Sequence, residues 1–354
     1  MSRFFSSRHS TLSPYVPGEQ PKDMLYIKLN TNESPFPPSE NVSFATLNES
    51  KLLHLYSDPQ SSVLTLKVAE FLGVEPENVL MTNGSDEILN FAFMAFGDNK
   101  HPFTFPNLTY GFYPVFAKLN GIPYNEIALN DDFTINVDDY VNIGSNIVIA
   151  NPNAPTGLTL SLSDIEKIVA SNKDFVVIID EAYIDFGGES CLPLIKKYDN
   201  LLITRTFSKS YSLAGARLGY GIGNASLISD LNTIKYSTNP YNVNRMTSAA
   251  GVAAIDSASY YMDNCKKIIE NREYAKRVLA EMGFFVTDSN ANFLFVKHPV
   301  ISGENLYLSL RKNGILVRHF NKKEISDFNR ITIGTRTQIE TLLSTIDKIL
   351  KKEL

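Results

Sequence analysis

The 354-residue sequence predicts an α/β fold: a large unit with a mostly parallel, mixed sheet flanked by helices, followed by a small α/β domain. Three features predict this. Short apolar runs rich in β-branched residues recur at 146–151 (NIVIAN), 175–180 (FVVIID) and 200–207 (NLLITRTF). Such continuous runs suit strands buried on both faces, as in parallel sheets. Helical patterns separate them, and the polar signatures follow their carboxyl ends, where open α/β sheets bind ligands.

The elements follow in order. The first 40 or so residues are rich in Pro, Ser and Asn and end in TNESPFPPS (31–39). That composition does not build a sheet core, and it is expected to drape over another part of the molecule. Residues 61–72 place Val63, Leu64, Leu66, Val68, Phe71 and Leu72 mostly at helical spacing. NVLMTNG (78–84) reads as a strand and loop, and 85–96 as a helix. A further helix, 161–170, opens with a Ser-x-x-Asp start at Ser161. GYGIG (219–223) lacks GxGxxG spacing and reads as a small-residue strand, which sets a dinucleotide site aside. One long helical stretch is expected from about Ser248 to about Met282, as a connector. Beyond it, ANFLFVKH (291–298), a helix near 303–313, GILVRHF (314–320), RITIG (330–334) and a final helix make the small domain.

Composition removes several function classes. With 33 basic and 38 acidic residues the net charge is −5, against a general nucleic-acid binder. The first residues hold no apolar core of signal-peptide length and no apolar run spans a bilayer, so a cytoplasmic protein with no membrane partner is expected. Cys191 and Cys265 lie far apart, which argues for a reducing compartment rather than a disulfide framework. The five histidines show no metal-ligand spacing, so no metal site is expected.

Four motifs carry chemistry. In TFSKSYSLAGARLGY (206–220) a Ser-Lys pair follows an apolar strand, with an Arg eight residues after the Lys. A lysine desolvated at a strand end favours the neutral, nucleophilic amine that Schiff-base formation with an aldehyde requires. Ser208 and Arg217 suit a phosphate ester, one as hydroxyl donor and one as guanidinium fork. In DEAYIDF (180–186) Asp180 closes a strand, where a carboxylate can keep the nitrogen of a pyridine ring protonated and make the ring an electron sink. Tyr183, three residues on, can meet the ring hydroxyl. NPNAPTG (151–157) makes a rigid turn that presents side chains. NGSDE (83–87), which holds Gly84, Ser85 and Asp86, opens a helix whose free amides suit a phosphate. Together they supply a Schiff-base lysine, a pyridinium partner and phosphate donors, far more specific than any one piece.

On these motifs, with PYVPG (14–18), LNTNESPF (29–36), YSDP (56–59), TYGFY (109–113) and GILVRHF…RITIGTR, nearly the whole chain resembles the fold-type I aminotransferases that use pyridoxal 5′-phosphate (PLP), and within them the histidinol-phosphate aminotransferase family. The resemblance implies the PLP-dependent transferase fold, with a segment 1–44 joining the small domain, a large PLP-binding domain 45–265, and a small C-terminal domain 266–354. It implies that Lys209 holds PLP and shuttles protons, that Asp180 pairs with the pyridinium, and that Tyr183 meets the ring oxygen. Tyr110 would stack on the ring. Gly84, Ser85, Ser208 and Arg217 would hold the cofactor phosphate, and Asp86 would belong to the cofactor-binding set. Tyr56 would reach the phosphate of a neighbouring subunit, implying a homodimer with shared active sites. Tyr15, Asn32, Arg318 and Arg330 would face the substrate. The implied substrates are small molecules: L-histidinol phosphate with 2-oxoglutarate, an aromatic amino acid, or threonine phosphate for a decarboxylase. Where the family usually has Asn before PTG, this chain has Ala154. Asn153, Asn151 or Tyr183 alone then supplies that ring-oxygen contact.

Overall fold

The computed structural model describes residues 2–10 and 12–352. Its strands, in chain order, are β1 (Ile27–Leu29), β2 (Val79–Thr82), β3 (Phe103–Pro106), β4 (Tyr124–Ile127), β5 (Asn146–Ala150), β6 (Val177–Asp180), β7 (Leu201–Thr206), β8 (Gly219–Gly223), β9 (Phe285–Val286), β10 (Phe293–Lys297), β11 (Ile315–His319) and β12 (Asn329–Thr332). The helices are α1 (Glu40–Ser50), α2 (Ser62–Leu72), α3 (Ser85–Phe96), α4 (Tyr113–Asn120), α5 (Leu162–Ser171), α6 (Ala225–Thr238), α7 (Arg245–Asp256), α8 (Ala258–Glu281), α9 (Gly303–Lys312) and α10 (Arg336–Leu350).

The large sheet runs β2-β8-β7-β6-β5-β3-β4. The pairs from β7 through β6, β5 and β3 to β4 are parallel, and β8 is antiparallel to both its neighbours. Its central strands are buried on both sides. Ile147, Ile149, Ile179 and Ile203 join one apolar cluster, while Val148, Ile178 and Leu202 join another. Alternate residues feed opposite faces, which is why these runs show no polar alternation. The small sheet runs β1-β11-β12-β10-β9, with β1 parallel to β11 and the other pairs antiparallel. Because β1 comes from the N-terminal segment, the small domain is built from both ends of the chain.

Helix ends follow local chemistry. Ser161 accepts the Asp164 N–H at the start of α5, Asn244 accepts that of Thr247 before α7, and Thr335 and Gln338 form a reciprocal capping box on α10. Gly73 and Gly121 close α2 and α4 in the left-handed conformation.

Three features differ from the sequence reading. The N-terminal segment, whose composition argues against a sheet core, contributes β1, with Leu29 buried in the small core. The single connector helix expected from about Ser248 is two helices: α7 begins at Arg245, behind its Asn244 cap, and stops at Ser257, whose φ −103°, ψ 22° breaks the axis before α8. Strands β3 and β4 were not anticipated. β3 is buried throughout but is a four-residue run, Phe-Thr-Phe-Pro, that ends in a proline, and β4 is a partly exposed edge strand reading Tyr-Asn-Glu-Ile, so neither stands out as an apolar run. Helix α8 spans the two cores, with Tyr261 packed in the large one and Cys265, Ile268 and Leu279 in the small one.

Candidate active site

The carboxyl ends of β5, β6 and β7 converge on a cavity of about 250 Å³ lined by Ser85, Asp180, Ser208, Lys209 and Arg217 among others. It opens into an outer cavity of about 450 Å³, and Thr31, Tyr110, Ala154, Tyr183 and Lys209 line both. Lys209 stands three residues beyond the end of β7. Its Nζ lies 3.4 Å from the Thr31 carbonyl and 5.7 Å from the centre of the Tyr183 ring.

Asp180 ends β6 and is 4% exposed. Burial pushes its carboxyl up to about 6, against two hydroxyl donors that hold it down: Tyr113 Oη to Oδ2 and Thr204 Oγ1 to Oδ1, each at 3.0 Å. Neither donor was singled out from sequence. Thr204 is the direct register partner of Asp180 across β6 and β7, a relation that the sheet order sets. Tyr113 lies 67 residues away and no spacing links it to Asp180.

At the other end, Gly84 takes φ +82°, and a Cβ there would stand 2.5 Å from Arg217 Nη2. Glycine is what lets the guanidinium lie against the start of α3. Asp86 accepts from Tyr110 Oη at 2.7 Å and from Arg217 Nη2 at 2.9 Å, and so ties ring and guanidinium together. Arg217 Nη1 lies 3.5 Å from Ser208 Oγ.

The outer cavity gathers the remaining residues. Tyr15 stacks on Phe112 at 4.2 Å, beside Tyr110. Arg318 donates to the Val16 and Pro17 carbonyls at 3.0 and 3.1 Å, holding the N-terminal segment over the opening. Arg330 gives Nη2 to the Asn30 carbonyl at 3.2 Å, while its buried Nε has no hydrogen-bond partner among the described residues. Burial pulls that guanidinium below its ordinary value, and an anion in the cavity would supply the missing counter-charge. Asn32 lines this cavity too, but its amide is spent on Tyr183 and Thr332.

Two candidates stand away from the cavities. Asn153 Nδ2 donates to the Leu108 carbonyl and to Thr156 Oγ1, both at 3.0 Å, and its Oδ1 accepts from Thr109 at 2.8 Å. Its amide pins the turn. Asn151 does the same through both faces of Leu160. Ala154 and Pro155 are the residues of that turn that line the cavities, and neither brings a donor. Tyr56 is 80% exposed and stacks on Tyr241, outside the cavities of its own chain.

The donor set fits PLP: a buried carboxylate for a ring nitrogen, an amine for an aldehyde, and hydroxyl, guanidinium and a glycine-opened helix start for a phosphate. Residues 25–346 match the family described as aminotransferase class I and II. The chain is 50% identical to a histidinol-phosphate aminotransferase of Brachyspira hyodysenteriae over 354 residues, covering 99% of this chain and 100% of that one. It is 46% identical to one from Clostridium acetobutylicum, covering 98% and 99%. Among solved structures, the histidinol-phosphate aminotransferase of Sinorhizobium meliloti in complex with PLP has the same fold, with TM-score 0.85, 22% identity and coverage of 93% and 92%. With a cleft that brings Lys209 and the buried Asp180 together and these full-length matches, the chain belongs to the class I and II aminotransferases, in the family of the histidinol-phosphate aminotransferases.

Proposed function

We propose that this chain binds PLP through Lys209 and transfers the amino group of L-histidinol phosphate to 2-oxoglutarate, giving imidazole-acetol phosphate and glutamate for histidine biosynthesis. The observation that carries the substrate reading is the buried Nε of Arg330, without a hydrogen-bond partner among the described residues, with Arg318 on the adjacent strand, in a cavity that Lys209 also lines. Two guanidinium groups suit a phosphate dianion better than a lone carboxylate. Full-length similarity to histidinol-phosphate aminotransferases supports the same reading.

When bound, PLP supplies an aldehyde for the lysine amine and a protonated ring that takes up the electron pair left at the substrate's α-carbon. The chain does the rest. Asp180, held by Tyr113 and Thr204, keeps the ring nitrogen protonated. Lys209, once freed, would be the base that takes the proton from the substrate's Cα and the acid that gives it back. Tyr183 donates its hydroxyl to the ring oxygen, a contact that Ala154 cannot make. Tyr110 covers the ring face, tied in place by Asp86. Ser208, Arg217 and the amides after Gly84 hold the cofactor phosphate, and Arg330, Arg318 and Tyr15 hold the substrate. Tyr56, turned outward, serves the phosphate of a neighbouring subunit, so the working unit is a homodimer. Among the described residues no helix is long and apolar enough to cross a membrane, which accords with a place in the cytoplasm.

Single-turnover absorbance of the holoenzyme tests this. L-histidinol phosphate should shift the cofactor band rapidly, and 2-oxoglutarate should restore it. A faster shift with phenylalanine would reassign the substrate to aromatic amino acids, and CO₂ released from threonine phosphate would make the enzyme a decarboxylase.

A further inference from the structure

We infer that Asn32 is a positioning residue for the reaction: it bolts the arginine-bearing strand β12 to Tyr183, and thereby aims the hydroxyl that meets the cofactor's ring oxygen. The inference rests on the PLP and Tyr183 readings above and adds the group that makes Tyr183 sufficient alone.

Asn32 is 1% exposed and sits at φ +57°, a left-handed conformation that Asn tolerates better than most residues. Its Nδ2 donates to Tyr183 Oη at 2.9 Å. Its Oδ1 accepts from Thr332 Oγ1 at 2.9 Å, and its N–H donates to the same oxygen at 3.0 Å. Its carbonyl accepts from Asn292 Nδ2 at 3.0 Å. The residue is therefore fixed from backbone and side chain at once, and a single rotamer serves all four contacts.

The consequence falls on the Tyr183 proton. With Asn32 filling an acceptor position on Oη, the phenol hydrogen is left to be donated, and among the described residues it has no protein acceptor. A hydroxyl that accepts one hydrogen bond is also polarised toward donating another. Asn153 and Asn151 are turned into the turn and Ala154 has no donor, so the ring oxygen depends on this one oriented hydroxyl. Thr332 completes the frame. It lies two residues from Arg330 on β12, and alternate residues of a strand share a face. The candidate anion-holding guanidinium and the cofactor-facing tyrosine thus share one rigid support.

The test is a double-mutant cycle on PLP affinity, read by visible absorbance on diluting holoenzyme. Tyr183→Phe should weaken PLP by about tenfold. Asn32→Gly keeps the positive φ and removes the amide. It should weaken PLP about fivefold in the wild-type background and less than about twofold in Tyr183→Phe. It should also move the visible absorption maximum of the lysine-held cofactor only while Tyr183 is present. Thr332→Val should act in the same direction, and it carries the comparison if Asn32→Gly does not fold. An equal loss in both backgrounds would make Asn32 merely structural and overturn the inference. Unchanged affinity in Tyr183→Phe would remove the hydroxyl role itself, a failure of the Tyr183 reading that is distinguishable from the first.

Discussion

At the scale of single residues, Asp180 shows how the fold prepares a charge for a partner. Its carboxyl is raised from the ordinary 3.8 to about 6, chiefly by burial. Because the folded value lies above the unfolded one, this group favours folding fully below about pH 3.8. That contribution is lost as pH rises through about 6. The rise corresponds to roughly 3 kcal/mol. Apoprotein should therefore melt lower than its Asp180→Asn variant at pH 7.5, with the gap closing toward pH 4, while Asn at this position should weaken PLP by about a hundredfold or more. Thermal melts across pH, with and without PLP, check both; a gap independent of pH would show that ionisation of Asp180 is not its source. The sequence put Asp180 at the cavity because it ends a buried strand, and Lys209 and Tyr183 each lie three residues beyond a strand that closes at the same sheet edge. Asn153 was not, since a turn's side chains aim wherever its carbonyls need donors, here Leu108 and Thr156. Asn32 lines the outer cavity as its sequence reading expects, but the contacts of its amide with Tyr183 and Thr332 join residues 151 and 300 positions away, which no spacing links.

At the scale of elements, the strand ends are locked by a buried ion pair that no motif announced. Glu181 follows β6, and its side chain is fully buried. Its Oε2 accepts from Arg205 Nε and Nη2 at 3.0 and 2.8 Å, and its Oε1 accepts the Cys191 N–H at 2.7 Å. Arg205 lies on β7, one residue after Thr204. The pair thus fixes the Asp180–Tyr183 turn against the strand that leads to Lys209. Removing one partner strands the other's charge, so Glu181→Ala should cost about 3–5 kcal/mol. Glu181→Leu combined with Arg205→Met should recover part of that loss in urea melts. Equal instability of single and double variants would mean that lost packing, not the stranded arginine, causes it. The same contrast explains what was readable at this scale. Period and caps report on a helix or strand through its own residues, which is why β5, β6, β7 and α5 could be placed. A bond between Glu181 and Arg205 depends on which strands become neighbours, and that is fixed only by the sheet order.

At the scale of the whole molecule, one group of exposed side chains bears on the proposed homodimer. Phe44, Leu47, Leu53, Tyr56, Val63 and Leu66 are each more than half exposed, on α1, α2 and the turn between them. Large apolar side chains left exposed along two successive helices and their turn suit a face that a partner covers. The turn that bears Tyr56 is rigid rather than loose. Arg245 holds the Tyr56 carbonyl and the Glu49 carboxylate, and Asp58 accepts the Ser62 N–H at 2.7 Å to cap α2. A rigid, outward aromatic beside exposed aliphatics is the arrangement expected if Tyr56 completes the phosphate site of a second copy. Sedimentation of holoenzyme at micromolar concentration should then give twice the chain mass. Val63→Asp, which buries a charge in the contact, should shift it toward monomer and speed the loss of PLP together. Tyr56→Phe should leave the dimer intact and weaken PLP by about tenfold, since it removes one hydroxyl from a phosphate and no apolar area. A wild-type monomer that retains PLP, or a monomeric Val63→Asp whose cofactor is held as tightly as before, would show that each chain completes its phosphate site alone.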